Sequence, residues 1–125
     1  MAVSELHWGR ILLGGLFIEL TMLAIVVPLN SVNQQLAYYS VPVLALATAF
    51  IFGRRAAAPL KAHFVLHGVL VAVVASAIYI ALTTSMRVSV PLLYHLSHGL
   101  RLLGGAAGGA VAGRRTMALG SADIV

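Results

Sequence analysis

Five ionisable side chains stand within long apolar stretches of the chain: Glu19, His67, His95, His98 and Arg101. A charge held at the middle of a bilayer costs about 2.5–3.5 kcal/mol even on the gentler insertion scales, so each of these groups calls for a partner or a cavity. Glu19 and Arg101 are the only two of opposite sign at such a depth. Glu19 lies about ten residues above the inner end of its stretch, and Arg101 about ten below the outer end of its own. At 1.5 Å of rise per residue both reach a depth of about 15 Å, the midplane. Two roles suit such residues. An ion pair would tie the first stretch to the last; a carboxylate alternating between Arg101 and a substrate would make a proton or cation site. The ion pair is the expected use, because a matched pair already answers the cost of both charges.

His95 and His98 stand one helical turn apart above Arg101, with Tyr94 beside them. They could continue a polar path from the outer surface towards Glu19; bonding to nearby backbone or hydroxyls is the simpler expectation. A metal set of both imidazoles with Glu19 is poorly placed, since His95 lies about 9 Å of helix rise above Arg101. No metal is expected. His63 and His67 fall near the inner surface and His95 and His98 near the outer one, so one chain offers no axial pair for haem, and no cofactor is expected. Cysteine is absent, which removes thiolate ligands and thiol nucleophiles. Neither a paired carboxylate, a phosphate-cradling loop nor a Ser–His–acid set can be assembled, so no enzyme is expected.

What must position these groups follows from composition. Of 125 residues, 61% are hydrophobic and 9% charged, with a mean hydropathy of +1.01. An ordinary soluble domain is roughly 45–50% apolar and about 25% charged. Disorder and nucleic-acid binding are excluded, and a single integral membrane domain over residues 1–125 is expected. Four stretches meet the length that about 30 Å of hydrocarbon demands, at about 9–28, 36–52, 64–83 and 91–112. Backbone in lipid must satisfy its own hydrogen bonds, so these are helices. Short connections (30–35, 53–63 and 84–90) then predict an all-α, up-down four-helix bundle.

Arg10, Arg54, Arg55, Lys61, Arg114 and Arg115 fall on one side of this arrangement and only Arg87 on the other. The asymmetry places both termini in the cytoplasm of a cell membrane. The net charge of +5 is therefore a matter of topology. Small residues carry helix packing in lipid. Gly104, Gly105, Gly108 and Gly109 in the fourth stretch form two overlapping registers, expected to pack within the bundle before serving as a homodimer seam. The tail 116–125 is expected to fray.

The segment GGLFIEL, with Gly14, Gly15 and Glu19, resembles the first helix of small multidrug-resistance exporters. That resemblance covers one helix and implies a four-span dimer with Glu19 as a proton-coupling carboxylate. The chain as a whole is similar to short bacterial four-span inner-membrane proteins that open on a Trp-Gly-Arg start, here Trp8, Gly9 and Arg10. They close on a Gly-rich helix with paired arginines, here the stretch from His98 to Arg115. This second resemblance brings no activity. The expected function is a non-enzymatic structural, accessory or small-ligand-binding bundle; the alternative is a small proton-coupled transporter working as a dimer through Glu19. The expected partners are the lipid bilayer and a second copy or a larger membrane complex.

Overall fold

The computed structural model describes residues 6–60, 62–87 and 89–124, and the side chains of 6–60, 62–87 and 89–115. Lys61 lies outside the described residues. Four helices follow in order: α1 (Trp8–Val32), α2 (Gln34–Ala57), α3 (Phe64–Ser85) and α4 (Leu92–Ile124). The described residues contain no strand. α1, α2 and α3 are each long and apolar enough to cross a membrane. α4 is not among them, because Tyr94, His95, Ser97, His98 and Arg101 dilute its apolar content. Those groups are not spread evenly round the helix. Ser97 and Arg101 are buried, while Leu92, Leu96, Leu102 and Leu103 point outward.

The helices outrun the expected stretches. α1 passes through Pro28, where the ladder loses only the bond that would reach the Ala24 carbonyl. The connection expected over 30–35 shrinks to Asn33. Its backbone is extended at φ −154°, its N–H donates to the Leu29 carbonyl at 2.8 Å, and its Oδ1 accepts from the Leu36 N–H at 3.1 Å. One residue thus closes α1 and caps α2. The far end of α2 is closed from outside: Arg10 donates through Nε to the Ala56 carbonyl at 2.9 Å and through Nη2 to the Arg55 carbonyl at 2.8 Å. Terminal carbonyls have no partner inside their own helix, which is what makes them available. The tail expected to fray continues α4 to Ile124.

α1 and α4 occupy opposite corners and their backbones do not approach each other among the described residues, while α2 and α3 touch one another and both corner helices. Gly14 meets Val71, and Gly15 meets Val74 and Ala75, so α1 and α3 run in the same direction. Gly104 meets Leu46 and Gly108 meets Phe50, which makes α4 parallel to α2. Arg10 at Ala56 and Phe17 at Phe52 set α1 against α2 in the opposite sense.

The glycines of α4 explain the close approach. A Cβ on Gly104 or Gly108 would strike the carbonyl oxygens of Leu46 and Phe50 on α2; one on Gly105 or Gly109 would strike those of Gly68 and Phe64 on α3. The two overlapping registers therefore serve two neighbours in the same chain. α2 answers with a stripe of Ala37, Val41, Ala45, Ala49 and Gly53, four residues apart and all buried, which lies along one helix face. Ile11, Ile18 and Met22 of α1 and Val71, Ala72 and Ala75 of α3 complete the core.

Candidate functional site

Glu19 and Arg101 meet in the middle of the bundle. Arg101 Nη1 lies 2.5 Å from Glu19 Oε1, and each residue is 3% exposed. The contact is longer in reach than a pairing of adjacent helices would need, because α1 and α4 sit on opposite corners. Two features allow it. Core positions of α2 and α3 are small (Ala45, Ala72, Ala75), and the arginine stem is long. The Arg101 guanidinium also sits 5.6 Å from the centroid of the Tyr79 ring, within the range of a cation–π contact.

Beside the pair lies a cavity of about 70 Å³, lined by Glu19, Tyr79, Tyr94, Ser97, His98 and Arg101 together with apolar side chains of α1 and α2. Arg101 Nε and His98 Nε2 are buried and have no hydrogen-bond partner among the described residues. His98 is held through its other nitrogen, Nδ1, which lies 3.0 Å from Ser76 Oγ. Its ring packs against Tyr79 with centroids 5.1 Å apart. Tyr94 is steadied from α2 by Tyr38, whose ring stacks on it at 5.8 Å. Chemically the site offers one carboxylate, one guanidinium, two phenols and an imidazole around a space of a few water molecules.

Tyr79 and His98 also line a second, more open space of about 410 Å³ that holds Thr83, Arg87 and His95. The two rings thus form a partition between this second space and the one at the ion pair. Of the polar path expected from Tyr94, His95 and His98, the structure brings Tyr94 and His98 to Glu19 and Arg101. His95 is exposed and stays on the outer side of the partition, 6.5 Å ring to ring from His98. The inner histidines do not take part. His67 is fully buried and bonded at both nitrogens, Nδ1 to the His63 carbonyl at 2.7 Å and Nε2 to the His7 N–H at 3.1 Å.

Ser76 and Tyr79 also belong to the site. The available signal was their place among the small and polar residues of α3, one turn apart on one helix face. Arg10 as the cap of α2 had no signal, because it depends on how two helix ends meet. Among the described residues no cluster of three or more His, Asp or Glu side chains could hold a metal ion. Compared with family models, curated proteins and solved structures, the chain matches none.

Proposed function

We propose that the chain is a non-enzymatic, four-span integral membrane protein of the bacterial inner membrane, an accessory or small-ligand-binding bundle locked by the Glu19–Arg101 pair. In this reading α4 is the fourth span, its polar groups turned inward, and the helices pass up and down with both termini cytoplasmic. The observation that carries it is the pair itself, buried and in contact across the bundle. A charge so placed in lipid is held by its counter-charge or not at all. The cavity beside it is the space for a small ligand.

A double-mutant cycle tests the lock. Removing one member of a buried pair costs about 3–5 kcal/mol, since the survivor is left uncompensated. Glu19→Gln and Arg101→Leu should each lower the melting temperature in detergent, and the double variant should recover part of the loss. Additive losses would reject the lock. The cavity and the Tyr79–His98 partition favour a second reading, proton-coupled transport by a dimer through Glu19. Proteoliposomes separate the two: a proton flux that Glu19→Gln abolishes would move the assignment to transport.

A further inference from the structure

A groove of about 340 Å³ runs between α1 and α2 at the end of the bundle where the arginines gather. Leu13 and Phe17 of α1 and Phe52 of α2 form its walls, and Arg10 and Arg55 stand at its mouth. The Phe17 and Phe52 rings are stacked, 6.0 Å apart and inclined by 20°. Leu13 is 55% exposed and Phe17 48%, so the groove opens sideways. On the membrane reading, that is the direction of the acyl chains.

The charge at this end is not neutralised among the described side chains. Arg55, Arg114 and Arg115 are exposed, and among the described side chains the only carboxylate is Glu19, already paired at the centre. Arg10 is fixed in place by its two bonds to carbonyls of α2. Arg55 lends its carbonyl to Arg10, while its own guanidinium has no polar partner among the described residues.

We propose that this groove binds an anionic phospholipid, with the phosphate between Arg10 and Arg55 and one acyl chain along Leu13, Phe17 and Phe52. The inference rests on the membrane reading of the preceding section. Basic pockets between spans on the cytoplasmic side suit anionic headgroups, because guanidinium and phosphate form charge-assisted bonds. An inorganic anion would leave the apolar walls unused; a chain of methylenes gains from every one it covers. A symmetry-related second copy fits less well, since it would bring its own arginines against these.

The test uses the full chain in mild detergent, titrated with phosphatidylglycerol or phosphatidylcholine of identical acyl chains. Native mass spectrometry reads lipid retention and a thermal melt reads stabilisation. Phosphatidylglycerol should be retained and raise the melting temperature, and phosphatidylcholine should do neither. Arg55→Gln should weaken phosphatidylglycerol binding about five-fold, as expected for one arginine at an anionic surface. Arg115→Gln, on the corner opposite α1, should leave it unchanged, and Leu13→Trp, which fills the groove, should weaken it with both arginines in place. Equal retention of the two lipids overturns the proposal, as do equal losses in the two arginine variants or the same stabilisation by inorganic phosphate. A dimer mass in place of a lipid adduct assigns the groove to a second copy instead. Release of the chain from native membranes by an alkaline wash would overturn the membrane reading; a chain that stays there yet shows no lipid preference overturns only the groove.

Discussion

His67 has no exposed surface, and both ring nitrogens are engaged, one by the His63 carbonyl and one by the His7 backbone N–H. The two bonds select the neutral ring with its proton on Nδ1. They also tie the residue preceding α1 to the first turn of α3. His67→Leu would take the acceptor from the His7 N–H, while the His63 carbonyl keeps the His67 backbone N–H, at about 1 kcal/mol for the lost bond. His95 is exposed and holds no element in place, so His95→Ala should fall within about 0.5 kcal/mol of the parent. Melts of the two variants side by side check the contrast; equal effects would mean that the His67 bonds contribute nothing. The same comparison marks what residue type can tell. Histidines in apolar stretches ask for partners, and sequence shows that they ask, but the partner of His67 is a backbone amide 60 positions away. No side-chain pattern announces it.

At the scale of the helix, α4 depends on its glycines. Each of Gly105 and Gly109 faces a carbonyl of α3 where a side chain has no room. Gly105→Leu and Gly109→Leu should force α3 and α4 apart and cost more than 3 kcal/mol, roughly the upper range for overpacking. Leu103→Ala, at a position 64% exposed, should be mild. Sizes and melts in detergent decide; if both glycine variants behave as the parent, the close approach is not what holds α4. That four apolar stretches make four helices, and that small residues mark their contacts, was legible in the chain because composition and the four-residue spacing are local facts. The division of labour between Gly104 with Gly108 and Gly105 with Gly109 was not. It depends on which two helices flank α4, and the overlapping registers look alike along the chain. Helix ends escape the sequence for a related reason. Pro28 and the polar run from Asn30 to Gln35 look like a break, but Asn33 supplies both caps and the helices close up round it.

For the whole molecule the arginine asymmetry makes a claim about sidedness. If Arg10, Arg54, Arg55, Arg114 and Arg115 all stay in the cytoplasm, cysteines at Ser4 and Ser121, outside the described side chains, should resist an impermeant thiol reagent in intact cells. A cysteine at Ser31, exposed near the end of α1, should react. Labelling at Ser4 or Ser121 from outside would reject the orientation. The centre of the site was legible at this scale, since depth and sign matched Glu19 to Arg101 before any geometry. That the two would meet diagonally was not, because depth counting does not order helices round a bundle.

The diagonal also has a consequence in time. Glu19 belongs to the first helix and Arg101 to the last, and about 80 residues of synthesis separate them. At about 5–20 residues per second the carboxyl waits some 4–16 s for its counter-charge. Until α4 arrives, a three-helix nascent chain carries an acid without its counter-charge, so the pair reports that α4 has joined the bundle. A chain stopped after residue 90 should therefore be cleared rapidly from cells, and Glu19→Gln should lengthen its lifetime. Pulse–chase decay of the two truncated chains measures this directly, and identical half-lives would show that the missing α4 is sensed through something other than the unmatched carboxyl.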